Sequence, residues 1–249
     1  MHRCCHQILL SLLPVLVLIA SCSKDGGNCI TNSGQVIMQE RELGDFDTIA
    51  MYDHVNVILT QDSLNRVTVE AGQNIISGIT TEVVNRVLII RNLNQCNWLR
   101  SYDKPVNAHV SVKNLRSLYY NSSGNITSTD TIRSPMLMID AWGGCGTIEL
   151  TLRVTEGFFI QHIGTADIRL HGICNICSIF AGDFGLIQCS DLQTGYSFTK
   201  NYGTNDCYVK ASQYLEATVG SVGNIYYTGH PNTVTTYIYG SGAVLPMKK

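Results

Sequence analysis

His162, Asp183 and Asn201 each stand two residues before a glycine in three successive segments of the chain. A histidine beside an aspartate can act as a general acid–base pair. The same side chains can instead form a polar stack that hydrogen-bonds a turn, and this is the arrangement we expect. The aspartates of the repeated segments occupy different positions, so no carboxylate pair of the kind found in glycosidases is indicated. We therefore predict no catalytic residues.

Cys174 and Cys177 have the Cys-x-x-Cys spacing that zinc sites use. No second cysteine pair of matching spacing follows, so we predict no metal and no cofactor, while a local disulfide or packing in a turn stays open. Cys189 and Cys207 fall at apolar positions, where a cysteine packs as a small hydrophobic residue. A bridge between them remains the alternative.

Glycines recur through the second half of the chain, and each follows a short run rich in β-branched and aromatic residues. Their spacing is 18 to 21 residues, and a second apolar run comes soon after each glycine. A fixed period with two short strands per period is typical of a β-solenoid. We predict an all-β fold in which coils of about 20 residues over 116–245 follow a block of β-strands over 36–115. The glycines are Gly124, Gly143, Gly164, Gly185, Gly203, Gly223 and Gly242.

Aromatic residues take recurrent places in this repeat. Phe159, Phe180 and Phe198 each lie five residues before a glycine, and Trp142 and Tyr202 lie directly before one. Stacked aromatic rings can bind sugar rings or a protein partner, and they can also form a ladder in a solenoid core. These five residues are the candidate binding face, although we expect the three phenylalanines to be mostly buried.

The positions next to the phenylalanines are also apolar, so both faces of this strand row require cover. We predict that Ile160 packs against Ile139 and Ala181 inside the coil. The strand block from Val36 to Leu115 is the segment best able to cover the other face.

The first residues have the character of an export signal. Arg3 precedes an apolar run that ends in Ile19-Ala20-Ser21-Cys22, which resembles the lipobox of bacterial lipoproteins. The resemblance implies a signal peptide over 1–21, lipidation of Cys22 and attachment to the outer membrane, facing either the surface or the periplasm. An ordinary signal peptide cut nearby is the alternative. Residues 22–35 are polar and glycine-rich, as expected of a flexible tether, and 246–249 form a tail.

The overall charge argues against one class of partner. The formal net charge is −2 and only 14% of the residues are charged. Nucleic-acid binding requires a basic face, so we predict no nucleic-acid partner.

The mature chain resembles the GIN-domain family (DUF2807, "putative auto-transporter adhesin, head GIN domain") over roughly 39–244. The resemblance implies a right-handed, parallel β-helix-like fold in exported or surface lipoproteins, and it implies no catalytic residues. Its motifs are Arg41-Glu42-Leu43 with Phe46 and Ile49, Val55-Asn56-Val57-Ile58-Leu59, Val67-Thr68-Val69-Glu70-Ala71, Leu88-Ile89-Ile90, Val110-Ser111-Val112 with Leu115, and the Gly-x-Ile repeats.

Together these features predict a non-enzymatic cell-envelope lipoprotein that acts as an adhesin or as a binding module for a glycan, a protein or an envelope component. The alternatives are a β-helix enzyme acting on polysaccharide and a purely structural envelope protein. A groove lined by two or more carboxylates would favour the enzyme. A broad exposed aromatic face would favour binding, and a uniformly polar exterior would favour a spacer.

Overall fold

The computed structural model describes residues 32–95 and 104–247. The predicted signal peptide and the lipidation site Cys22 lie outside the described residues. The described chain is nearly all β-strand, with one 3-10 turn at Ile76–Gly78. The strands are β1 Val36–Arg41, β2 Thr48–Asp53, β3 Asn56–Gln61, β4 Arg66–Gly72, β5 Ile79–Val84, β6 Val87–Asn92, β7 Asn107–Val112, β8 Ser117–Ser122, β9 Ile126–Gly144, β10 Thr147–Ile163, β11 Asp167–Ala181, β12 Ile187–Asn201, β13 Cys207–Lys210, β14 Tyr214–Val219, β15 Ile225–Thr228, β16 Thr233–Ile238 and β17 Val244–Pro246.

The strands stack in parallel as successive coils, which confirms the predicted solenoid. One row runs in the order β6, β2, β8, β9, β10, β11, β12, β14 and β16. The second row runs β7, β3, β9, β10, β11, β12, β13, β15 and β17. The long strands β9 to β12 each contribute to both rows, so one strand makes most of one coil.

Alternation of residue type along each strand builds the core. In β10, Ile148, Leu150, Leu152 and Val154 are buried, while the residues between them face outward. Because neighbouring strand positions point to opposite faces, each coil contributes one apolar row to a continuous interior stack. Burial of this apolar surface is the main favourable term for a fold with so few charges.

Large polar side chains inside the coil tie its turns together. One interior column reads Tyr120, Ala141, Gln161, Ala181 and Asn201, so polar residues alternate with alanines. The Tyr120 hydroxyl donates to the Gly124 carbonyl at 2.8 Å and accepts from the Gly146 amide at 2.9 Å. Burial raises the pKa of Tyr120 to about 12, so the hydroxyl keeps its proton at neutral pH.

Asn201 is fully buried and serves three backbone groups. Its amide nitrogen donates to the carbonyls of Asn205 at 2.9 Å and Asn224 at 3.1 Å, and its oxygen accepts from the Gly203 amide at 3.0 Å. Backbone groups in such a turn would otherwise lack partners inside the protein, so these bonds hold the turn shape.

The strand block extends the solenoid and does not cover its outer face, contrary to prediction. β2 and β3 stack directly on β8 and β9. The stack then ends in antiparallel pairs, with β5 on β6, β4 on β7 and β1 on β4. β5 and β6 form a tight hairpin in which Asn85 and Arg86 have φ of 50° and 67°, as a type I′ turn requires.

Candidate functional site

The three phenylalanines do not share a column, so the predicted aromatic ladder is wrong. Phe159 lies in register with Ile139 and Ile179 and is 0% exposed. It therefore belongs to the core and is not part of a binding face. Phe180 lies in the neighbouring outward column and is half-buried, as is Phe198 in a third column.

Ile160 is also placed differently from the prediction. It faces outward in the column that contains Asp140 and Phe180, and it is only half-buried. Its expected partners Ile139 and Ala181 point into the coil, where they are buried.

Two irregularities in the turns explain the misplacement. Asp183, not Gly185, occupies the turn position of Gly164: the Phe184 amide donates to the Gly164 carbonyl, and the Thr204 amide donates to the Asp183 carbonyl. In addition, His162 is an extra residue in a β-bulge, since Gln161 pairs with Ala141 and Ile163 pairs with Trp142. Alignment on glycines alone therefore shifts the register by one residue, which moves each side chain to the opposite face.

The bulge helps to build a row of outward-facing rings across four coils. The Trp142 and His162 rings stack with centroids 3.8 Å apart and an interplanar angle of 21°. The row continues from His162 to Phe180 at 6.1 Å and from Phe180 to Tyr202 at 5.9 Å. Trp142 is 42% exposed and Tyr202 is 45% exposed, so this row is a surface feature.

These rings line a groove of about 470 Å³, which we call the aromatic groove. Its lining is Trp142, His162, Ile163, Phe180, Gly182 and Tyr202. Ordinary ligand pockets have volumes of about 300–1,000 Å³ and are mostly apolar with a few polar groups. The aromatic groove matches that description, with the indole N–H of Trp142, the imidazole of His162 and the hydroxyl of Tyr202 as its side-chain hydrogen-bonding groups.

Glycines at two points of the aromatic groove determine where its rings lie. Gly143 and Gly144 follow Trp142 with φ of 73° and 131°, a backbone conformation that residues with a Cβ rarely adopt. Gly220 leaves space for the Tyr202 ring, because a Cβ built at Gly220 would lie 2.2 Å from that ring. Both turns thus fix the positions of exposed aromatic residues.

His162 and Asp183 do not form an acid–base pair. Nε2 of His162 lies 3.0 Å from Oδ1 of Asp140, whereas Oδ2 of Asp183 accepts a hydrogen bond from the Gly164 amide at 2.7 Å. Asn201 points into the core. The expectation that Asp183 and Asn201 bond to turn backbone is confirmed, but His162 is an outward aromatic neighbour of Trp142. The glycine spacing puts Trp142, His162 and Phe180 at three different positions of the repeat, so it gives no signal for that role.

The outward face beside the aromatic groove is broad and apolar. Neighbouring columns of the same row place methionine and aromatic side chains on this surface, which in the described residues no other strand covers. Its charges are sparse and of both signs, Asp140, Glu156 and Glu216 against Lys200. The exposed or half-buried apolar members are Met136, Met138, Phe158, Ile176, Tyr196, Phe198 and Tyr214.

The buried thiols belong to the core. Cys174, Cys177, Cys189 and Cys207 are buried and unbridged, and Cys145 is exposed and unbridged. Burial raises the pKa of Cys189 and of Cys207, so both remain neutral thiols. This is the packing role predicted for them.

Two further features concern residues 32–95 and 104–247, the part of the chain that the structure describes. Within those ranges, no group of three or more histidine, cysteine or acidic side chains is arranged to hold a metal ion. The same ranges contain no helix with the length and apolar character that a membrane crossing needs.

A family model described as "Putative auto-transporter adhesin, head GIN domain" matches residues 45–231. No functionally curated protein matches the chain.

Solved structures share this fold at low sequence identity. A "putative adhesin" from Bacteroides fragilis has a TM-score of 0.78 and 18% identity, covering 86% of this chain and 97% of its own. A "putative adhesin" from Parabacteroides merdae has a TM-score of 0.65 and 17% identity, covering 87% and 98%. A "putative lipid binding protein" from Parabacteroides distasonis has a TM-score of 0.60 and 17% identity, also covering 87% and 98%. At such identities the likeness establishes the fold alone.

Proposed function

Since the chain belongs to the family described as "Putative auto-transporter adhesin, head GIN domain", we propose that it is a non-enzymatic binding protein of the bacterial cell envelope whose aromatic groove binds a glycan. The family supports a cell-envelope or surface role of adhesin type. The choice of ligand rests on one observation, which is the exposed row of rings from Trp142 to Tyr202.

Ring spacing suits a linear polysaccharide. Adjacent coils are about 4.8 Å apart, so the row from Trp142 to Tyr202 spans roughly 14 Å. Sugar rings have apolar faces with polar edges, and an open aromatic row can pack against several of those faces in succession. Three of the four rings belong to strands and Tyr202 directly follows β12, so the surface is ordered before the ligand arrives, which lowers the entropic cost of binding.

Charge favours a neutral glycan over an anionic one. The six lining residues include no lysine, arginine, aspartate or glutamate. The nearest charged positions in the adjoining column, Asp140 and Lys200, have opposite signs. Such a groove gains little from a uronic acid or a sulfated sugar, because no cluster of cations compensates for the desolvation of the anion.

The same composition argues for binding and against polysaccharide cleavage. Glycosidases place two carboxyl groups across the scissile bond, at separations of about 5–10 Å. Asp140 is next to His162 but does not line the aromatic groove, and none of the six lining residues carries a carboxylate. We propose further that Cys22 anchors the protein to the outer membrane by its lipid, which rests on the Ile19-Ala20-Ser21-Cys22 pattern.

Affinity electrophoresis tests the proposed ligand class. Native gels would contain a neutral polysaccharide, an anionic polysaccharide or no polymer, and vesicle flotation of the Cys22→Ala chain, which carries no acyl anchor, would report lipid binding in parallel. We expect the neutral polymers to retard the protein and the vesicles to leave it unbound. Trp142→Ala should lose the retardation, while Tyr208→Ala, an aromatic residue stacked on Tyr226 away from the groove, should keep it. Flotation with vesicles without retardation by any glycan would contradict the proposal.

A further inference from the structure

The C-terminal end of the solenoid leaves core positions uncovered. Val234, Thr236 and Ile238 of β16 continue the columns of Leu215, Ala217 and Val219 in β14. The three β14 residues are fully buried, whereas Val234 is 37% exposed and Ile238 is 48% exposed. Among the described strands, none pairs with the far edge of β16.

In the part of the chain that the structure describes, this end lacks the usual protection of a solenoid terminus. Terminal repeats normally carry a polar outer face, and exposed strand edges are normally guarded by charged residues or proline. From Ala217 to Met247 the chain contains no aspartate, glutamate, lysine or arginine. Residues 233–239 read TVTTYIY, which are all β-branched or aromatic, a composition that favours pairing between chains.

Proline distinguishes the two edge strands at this end. β17 contains Pro246, which has no amide hydrogen to donate to a further strand. β16 contains no proline, so its outer edge has a complete set of donors and acceptors. Pairing is therefore expected along β16.

We propose that this end docks against the same end of a second copy of the chain, with β16 antiparallel to its counterpart across a two-fold axis. Residues 217–247 carry no acidic or basic side chain apart from His230, so they offer nothing to attract a charged partner and meet no like-charge repulsion from a second copy; Lys248 and Lys249 lie outside the described residues. A two-fold interface also needs a self-complementary patch, and the alternating interior residues of β16 provide one.

The two-fold axis fixes the register. Interior residues must lie opposite interior residues, because a shift of one residue would place them on the wrong face. An axis through Thr236 satisfies this condition: Thr236 then faces Thr236 of the second copy, and Val234 faces Ile238 of the second copy. The exposed ends of two cores are thereby covered together, and the dimer presents two aromatic grooves.

Site-directed cross-linking in intact cell envelopes tests this register in the full chain. Opposite residues of antiparallel strands have Cα atoms about 4.5–5.5 Å apart, which is within the range of a disulfide. Thr236→Cys should therefore give a dimer band on a non-reducing gel after mild oxidation. Thr233→Cys is the matched control, because in this register it lies about 20 Å from its own copy. Native cysteines contribute equally to the wild type, which sets the background.

A second variant covers the case in which cross-linking fails for chemical reasons. Ile238→Lys should break the dimer, because the charged lysine would be buried against Val234 of the second copy. The molar mass measured by light scattering should then fall from that of two chains to that of one. Circular dichroism should show the variant folded. Either of two results would overturn the proposal. The first is that Thr236→Cys gives no more dimer band than Thr233→Cys and that the wild type has the mass of a single chain. The second is a cross-linked band at the mass of this chain joined to a different protein.

Discussion

At the residue scale, Phe159 and Phe180 show how one register position separates folding from binding. Phe159→Ala should lower the free energy of unfolding by about 3–5 kcal/mol, because it leaves a cavity in a stacked core. Phe180 is half-buried beside Tyr202, so Phe180→Ala should cost much less stability and should weaken polysaccharide binding. Urea unfolding and affinity electrophoresis of both variants measure the two effects.

The opposite pattern would reject this assignment. If Phe180→Ala unfolded as readily as Phe159→Ala, the aromatic groove would be a core feature. If Phe159→Ala retained full stability, the register that places it inside would be wrong.

Asn201 provides a second test at this scale. Asn201→Ala would leave two carbonyls and one amide without partners in a buried turn, at a cost of about 3 kcal/mol. Asn175→Ala is the matched control, since Asn175 is exposed and surface substitutions usually stay within about 0.5 kcal/mol. Equal melting temperatures for the two variants would show that Asn201 does not hold the turn.

The sequence predicted residue types better than residue faces. Trp142 and Tyr202 were expected to lie together and do line the aromatic groove. The glycine spacing also places Phe159 on this candidate face beside Phe180, because both phenylalanines lie five residues before a glycine. The distinction depends on the bulge at His162 and on Asp183 replacing a glycine in the turn. The spacing of 18 to 21 residues between glycines is irregular there, but it does not identify which residue is displaced.

At the scale of the elements, two glycines of the same repeat should respond differently to substitution. The three heavy atoms nearest to a Cβ at Gly220 all belong to the Tyr202 ring, the first at 2.2 Å, so Gly220→Ala should move that ring and weaken ligand binding without lowering the melting temperature. A Cβ at Gly203 would meet the backbone carbonyl oxygen of Asp183 at 2.2 Å. Gly203→Ala should therefore destabilise the coil by about 1–3 kcal/mol.

Thermal unfolding and affinity electrophoresis of the two variants check this contrast. Unchanged binding in a folded Gly220→Ala variant would mean that Tyr202 does not contact the ligand. An unchanged melting temperature in Gly203→Ala would mean that the turns tolerate backbone shifts, and that their stacking is less tight than the structure indicates.

The coil period and its two strand runs were evident from the sequence because glycine and β-branched residues recur at nearly constant spacing. The way in which the strand block joins the solenoid was not evident from the sequence. β2 and β3 have their own spacing, and their parallel pairing with β8 and β9 joins residues about 70 positions apart. Local patterning carries no information on such a pairing, so a separate layer was equally compatible with the sequence.

At the scale of the whole molecule, the lipid anchor proposed at Cys22 would determine where the protein acts. Cys22→Ala should shift the protein from the detergent phase to the aqueous phase or should block its processing, because the acyl chains that hold it would be absent. Cys29→Ala is the matched control, since it removes a nearby cysteine outside the Ile19-Ala20-Ser21-Cys22 pattern. Normal cleavage and membrane partitioning of Cys22→Ala would exclude lipid anchoring at that residue.

The most direct test of the account is whether a bound glycan contacts Trp142. The chain has two tryptophans, so Trp98→Phe leaves Trp142 as the single source of tryptophan fluorescence. Titration with the neutral polysaccharide that most retards the protein should shift Trp142 fluorescence to a plateau and protect it from quenching by acrylamide. The half-saturation point should agree with that of gel retardation. Full retardation of the protein in the gel, with unchanged Trp142 emission and unchanged quenching by acrylamide, would contradict glycan binding in the aromatic groove, because the ligand would then be bound elsewhere on the solenoid.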